Sequence, residues 1–110
     1  ARAQDLIAAG VPVAIASDFN PGSCPSYSLQ FCMNLAAYNY RLSSEQVLTA
    51  VTLNAAAAID RADRVGSIEP GKLADLVIWD AQELDFLFYR FGSNLVKTVV
   101  KRGEVVVDTD

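Results

Sequence analysis

The sequence predicts an α/β fold in two parts, a helix–strand–helix stretch of barrel type followed by a small region of strands, and three observations predict it. A short apolar run, residues 13–17, ends on Asp18 and breaks into the turn Phe19-Asn20-Pro21-Gly22-Ser23. In α/β barrels the reacting groups stand at the C-terminal ends of strands, because layered side chains fill the barrel interior and leave room for a polar site only at the mouth. Helical spacing of apolar residues dominates both sides of that run as far as Ile59. From Asp60 the texture changes to turn dipeptides and strands with no helix between them, which suggests a separate sheet. A boundary is expected near Arg64, dividing residues 1–64 from residues 65–110.

Each element follows from its residues. Residues 2–9 read as a helix with Leu6 and Ile7 inward, and Gly10 is placed to end it before Pro12. Residues 13–17 are apolar without alternation, which suits a deeply buried parallel strand covered on both faces. Leu29, Cys32, Met33, Ala36 and Tyr40 then recur at helical spacing, with Phe31, Leu35 and Tyr38 marking a second apolar face. Ser43 begins the next helix, because Gln46 can return its hydrogen bond in a capping box, and Val47, Leu48 and Val51 line one side. Residues 52–59 continue helically; four alanines allow close approach to another backbone, although helix propensity explains them equally well. Pro70-Gly71 fits the centre of a type II turn leading into a strand at 74–79. Alternation at 96–101, the turn Arg102-Gly103 and Val105 to Val107 complete a hairpin.

Composition narrows the function classes. With 52% hydrophobic and 20% charged residues, 110 residues carry enough apolar material for a packed core and are not disordered. A net charge of −4 and scattered Lys and Arg leave no basic stripe for a phosphate backbone, so nucleic acid is not an expected partner. No apolar run approaches the roughly 20 residues that cross a bilayer, and the first residues lack a secretion signal, so a cytoplasmic protein is expected. Cys24 and Cys32 match no zinc or redox spacing and are expected to be free thiols. The chain opens on Ala1 within a helical pattern, which reads as part of a longer protein.

Two readings of Asp18 follow from its position. A carboxylate at a strand end can ligate a metal and accept a proton from attacking water; it can equally accept loop N–H groups in an Asx turn. Asn20, Gly22 and Ser23 offer an amide, an unshielded N–H and a hydroxyl to a ligand, or else simply build the turn. Glu69 and Asp75 stand beside turns and read as solvated or turn-stabilising. Phe86, Phe88, Tyr89 and Phe91 read as cover for the junction of the two parts, and Trp79 as core.

Residues 10–23, with their Ser-Asp-Phe-Asn-Pro-Gly-Ser run, resemble the imidazolonepropionase family of the amidohydrolase superfamily. Thr52-Leu53-Asn54-Ala55-Ala56 is similar to the superfamily's Thr-x-Asn-x-Ala helix, and residues 65–78 to its return into a small β domain. The likeness covers nearly the whole chain. It implies the C-terminal part of a metal-dependent hydrolase (β/α)8 TIM barrel over residues 1–64, and strands of a small composite β-sandwich over 65–110. It also implies that Asp18 is a metal ligand and catalytic, that Asn20 and Gly22 contact the product N-formimidoyl-L-glutamate, and that Ser23 contacts the substrate. The implied reaction is hydrolysis of a cyclic amide C–N bond in 4-imidazolone-5-propanoate, with zinc or iron as cofactor and a homodimer as an allowed assembly.

The chain departs from the family in having no histidine, so the metal's other ligands and the activity are expected of a longer parent rather than of these residues alone. A second departure is Ile59-Asp60-Arg61, where the family usually continues Leu-Gly. The alternatives kept beside this reading are another cyclic amidase or deaminase of the superfamily, and a metal-free binding module.

Overall fold

The computed structural model describes residues 2–109; Ala1 and Asp110, the outer limits of the two expected parts, lie outside the described residues. Four helices come first: α1 (Ala3–Ala8), α2 (Leu29–Tyr40), α3 (Ser44–Val51) and α4 (Leu53–Ala58). The strand β1 (Leu76–Trp79), the single-turn helix α5 (Phe86–Tyr89) and the hairpin strands β2 (Val96–Lys101) and β3 (Glu104–Asp108) follow.

Helix ends obey their local chemistry. α1 closes on Gly10 at φ +80, with Gly10 N–H donating to Ile7 O (2.9 Å) and Val11 N–H to Leu6 O (2.9 Å), the paired bonds of a Schellman motif. α4 ends the same way without a glycine: Asp60 takes φ +58 while Asp60 N–H and Arg61 N–H reach Ala57 O and Ala56 O. Asp tolerates that left-handed conformation better than most side chains, so the helix stops where the family pattern would place Gly. The Ser43–Gln46 capping box is formed in both directions, at 3.2 and 2.9 Å.

The sheet is an antiparallel meander in the order β1-β2-β3. Leu76 pairs with Val100 and Val99 with Val107, with a register shift in each ladder. Arg102 and Gly103 both have positive φ (51° and 82°), as a two-residue hairpin turn matched to strand twist requires. Asp75 holds this turn: its carboxylate accepts Lys101 Nζ at 2.5 Å and Arg102 N–H at 2.9 Å. These bonds keep the Asp75 carboxyl below its ordinary value of 3.8, Lys101 contributing most. Because the folded-state pKa is the lower one, the contribution to stability is complete above about pH 4 and disappears as pH falls through the folded value. Asp75→Asn should therefore flatten the acid limb of the unfolding profile below pH 4; an unchanged limb would show that the turn does not depend on this charge.

The core joins the two halves of the chain. Ala3, Met33, Ala36, Leu42 and Val47 from the helical half pack with Leu87, Phe88 and Leu95, and Trp79 lies partly buried against them. Tyr38 Oη donates to Phe88 O (3.1 Å), and Phe91 packs edge-on between Phe31 and Tyr38 at 5.4 and 5.6 Å. Of the aromatic segment after β1, Phe88 and Phe91 thus pack on the helices and Phe86 lies against the core, whereas Tyr89 is exposed. Both cysteines are free. Burial, and Cys24 beside it, push the Cys32 thiol up.

Four expectations are corrected. Residues 13–17 are extended yet pair with no strand among the described residues, because a ladder needs a neighbouring strand and none of β1–β3 lies alongside. They are not deeply buried either: Val13, Ile15 and Ser17 are half-buried on the face toward the helices, while Ala14 and Ala16 are exposed. In α1 the inward pair is Ala3 and Ile7, four residues apart, and Leu6 is 45% exposed. The helix at 44–59 is not continuous; it breaks at Thr52 (φ −116°, ψ −87°), whose Oγ1 donates back to Leu48 O at 2.6 Å. The first sheet strand starts at Leu76 rather than residue 74, because Ala74 O accepts Gly103 N–H from the hairpin turn and Asp75 clamps it.

α2 buries Met33 and Ala36 as the pattern predicted, and with them two amides that it did not single out. Gln30, Met33 and Asn34 are buried and Ala37 half-buried on the core side, whereas Leu29, Leu35, Tyr38 and Tyr40 are exposed. Gln30 Oε1 accepts Leu95 N–H at 3.0 Å, tying the helix to the entry of β2. An amide at a core position reads as surface in a hydropathy pattern, which is why Gln30 and Asn34 were missed while Met33 and Ala36 were not.

Candidate active site

The site grows from the extended segment and the loop after it. Two bonds attach the segment to the helices: Ile15 N–H donates to Ala50 O at 3.1 Å, and Asn54 Nδ2 donates to Val13 O at 2.9 Å. Five residues beyond Val13 the chain reaches Asp18, which is exposed and has φ +52, one of four non-glycine residues in the left-handed region among those described. A side chain held in that region stores of order 1–3 kcal/mol, and such residues cluster at functional sites.

The loop is built by Asn20. Its Oδ1 accepts Gly22 N–H (2.8 Å) and Ser23 N–H (2.7 Å), and its Nδ2 donates to Asp18 O (2.7 Å) and Ser23 Oγ (3.2 Å). Asn20 N–H donates to Cys24 O (2.8 Å), and Cys24 Sγ returns to Ser17 O (2.9 Å), closing the loop at its base. The exposed rings of Phe19 and Tyr27 meet edge-on at 5.4 Å across the same base.

This network separates the two readings of Asp18. The Asx turn exists, but Asn20 makes it; among the described residues the Asp18 carboxylate receives no hydrogen bond and joins no ion pair. A carboxylate left without amide donors remains available to an outside partner. Asn20 and Gly22, in turn, direct the amide and N–H expected to meet a ligand at each other. Gly22 also has little room: a Cβ there would stand 3.2 Å from Asn20 Oδ1. Ser23 keeps an exposed hydroxyl beside them.

Asn20→Ala should leave global stability within about 1 kcal/mol, since water replaces the lost acceptor at an exposed site. Amide hydrogens of Gly22 and Ser23 should then exchange roughly five- to tenfold faster. Unchanged exchange would mean that Asn20 does not shape the loop.

Sequence reasoning overlooked Asn54 and Cys24 as supports of this site. The signal for Asn54 was present, as the central residue of the Thr-x-Asn-x-Ala stretch, but its partner Val13 lies 41 positions away. Glu69 and Asp75 stand outside the site, as expected. Glu69 is engaged by Ser67 and by Lys72 (3.1 Å), which lower its pKa, and Gly71 at φ +92 with Lys72 N–H on Glu69 O (3.2 Å) confirms the turn at Pro70-Gly71.

A catalytic zinc takes three protein ligands. Among the described residues no three His, Cys, Asp or Glu side chains converge, and the sequence has no histidine. Asp18 can offer one oxygen, so the described residues do not by themselves make a metal centre.

With this geometry in hand, comparison with known proteins defines the class. The model of the Amidohydrolase family matches residues 1–106, and the chain belongs to that family. Among solved structures it is similar to an adenosine deaminase from Xanthomonas campestris with bound zinc (TM-score 0.85, 30% identity, 97% of this chain and 28% of that one). It is also similar to an amidohydrolase from Thermotoga maritima (TM-score 0.74, 29% identity, 96% and 25%). Within the family it is similar to curated imidazolonepropionases. It is 49% identical to that of Alkaliphilus oremlandii and 52% to that of Treponema denticola, each over 98% of this chain. The chain spans 26% of the length of these relatives. No helix among the described residues is long and apolar enough to cross a membrane.

Proposed function

We propose that this chain is the C-terminal part of an imidazolonepropionase, which adds water across the cyclic amide C–N bond of 4-imidazolone-5-propanoate to give N-formimidoyl-L-glutamate in histidine degradation. The observation that carries the reading is identity near 50%, over 97–98% of the chain, to relatives bearing that name. The donor-free carboxylate of Asp18 at the end of the extended segment supports it. Residues 1–64 then supply the last strand and terminal helices of a (β/α)8 barrel, and residues 65–110 part of a small β-sandwich.

In this reading Asp18 takes the proton from the attacking water and passes it to the leaving ring nitrogen, as a positioned carboxylate can. Asp18 would also lend one oxygen to a divalent cation, zinc or iron, whose other ligands would come from the rest of the protein; such an ion would lower the pKa of bound water and polarise the carbonyl. Asn20 prefolds the loop so that Ser23 meets the substrate and the Asn20–Gly22 turn meets the product. The same reading proposes a cytoplasmic enzyme with no nucleic-acid or membrane partner and with a homodimer as an allowed assembly; the charge of −4 without a basic stripe supports excluding nucleic acid.

Incubating the whole protein with imidazolone propanoate, with and without chelator, tests the reading. Metal-dependent disappearance of the substrate's ultraviolet band and appearance of formimidoylglutamate are expected. Protein that binds metal and leaves this substrate untouched overturns it. The structural likeness to an adenosine deaminase keeps a deaminase as the second reading, which release of ammonia from an aminopurine panel on the same preparation would select.

A further inference from the structure

The segment that ends on Asp18 is fixed from one side, and the fixing device is the break between α3 and α4. In an unbroken helix the carbonyl of Ala50 would receive the N–H of Asn54, four residues on. The ladder is interrupted at Thr52 (φ −116°, ψ −87°), whose hydroxyl donates to Leu48 O (2.6 Å), and Ala50 O receives Ile15 N–H instead, at 3.1 Å. Asn54, in the first turn of α4, directs its Nδ2 to Val13 O at 2.9 Å. The two bonds grip residues 13 and 15 on the half-buried face of the segment, and Asp18 lies three residues further along. No strand among the described residues pairs with the segment; these two bonds tie it to the helices, beside the packing of Ile15 on the core and the Cys24 Sγ bond to Ser17 O at its far end.

We propose that Asn54 is a positioning residue: through Val13 O, and together with the carbonyl that the Thr52 break frees on Ala50, it sets where the Asp18 carboxylate stands. The proposal rests on the reading of Asp18 as the proton-moving group. Its physical basis is that a displacement of about 1 Å at a reacting group can lower turnover on the order of 100-fold while substrate binding elsewhere in the site persists. Asn54→Asp keeps the side chain's shape and removes the donor, setting a carboxylate against a carbonyl in a half-buried position.

The test is steady-state kinetics of the whole protein with imidazolone propanoate, expressed per folded molecule. Asn54→Asp should lower kcat roughly 10- to 100-fold with KM changed less than about threefold. Leu87→Ala, a fully buried core truncation in α5, should lower the folded fraction and leave kcat per folded molecule unchanged. If Asn54→Asp does not accumulate as folded protein, Asn54→Ser, with a shorter donor, is read by the same criterion. A kcat within twofold of the parent for the Asn54 variant, or an equal fall in Leu87→Ala, overturns the positioning role. Asp18→Asn is measured alongside: if it is inactive while the Asn54 variant is normal, only the positioning proposal fails. If Asp18→Asn retains turnover, the reading of Asp18 fails and the proposal with it.

Discussion

Asp18→Asn in the whole protein is expected to lower kcat by about 10²–10⁴-fold, the range over which a positioned proton-transfer group contributes. The substitution is nearly isosteric, and it removes both the charge and the basic oxygen. The fold should not notice. The Asp18 carboxylate is exposed and accepts no hydrogen bond among the described residues, so no native contact is lost with it. The backbone demand at φ +52 is also met, because Asn enters the left-handed region as readily as Asp. A thermal midpoint equal to that of the parent, beside turnover reduced by that factor, is the expected pair of results. Retention of most activity would mean that the carboxylate takes no part in the reaction, however it is placed.

The second large effect concerns stability, and lies at Gly66→Ala. Gly66 has φ +97 and packs against the start of α4: a Cβ there would lie 2.7 Å from Ala56 Cβ, 3.1 Å from Thr52 O and 3.2 Å from Leu53 Cα. Two penalties combine. A side chain in a left-handed conformation costs about 1–2 kcal/mol, and forcing a methyl group into a filled contact costs about 1–3 kcal/mol more, for a loss of roughly 2–5 kcal/mol. Gly10→Ala separates the terms, since Gly10 has φ +80 with nothing within 4 Å and should incur the first penalty alone. Denaturant midpoints of the two variants supply the comparison. Equal losses would show that the chain after α4 does not press on the helix. Ala56→Gly in the Gly66→Ala background should recover part of the difference, because it removes the 2.7 Å contact and leaves the backbone strain.

The Gly66 contact also shows where pattern reading reaches its limit. Four alanines at 55–58 were compatible with a close approach or with helix propensity alone. Only Ala56 is buried, and it is the one that Gly66 meets; Ala57 and Ala58 are exposed. Composition could suggest that something comes near, but not which methyl it touches. Turns and caps were far more legible. Gly10, the Ser43–Gln46 box and Pro70-Gly71 act through bonds to residues at most five positions away, so their chemistry is written in adjacent letters.

Asp18 was legible as a candidate because an apolar run ending on a carboxylate is itself a local signal, and the chain's motifs resembled the amidohydrolases, whose family model matches residues 1–106. Its freedom from the loop's amides was not legible. Asp18 and Asn20 are equally able to nucleate an Asx turn, and only the path of the backbone shows that Asn20 takes both N–H groups.

By itself, then, the sequence determined the first three helices, the hairpin and the turn types, which rest on short-range bonds and side-chain periodicity, while its motifs, by resemblance, pointed to the amidohydrolase family. Tertiary structure alone decided that the helix breaks at Thr52, that Gln30 enters the core to hold Leu95, and that Asn54 reaches Val13. The reason is physical: Gln30 and Asn54 act on backbone groups 65 and 41 positions away, and at the break Ala50 O is taken by Ile15 N–H from another part of the chain; no local propensity encodes which distant group will arrive.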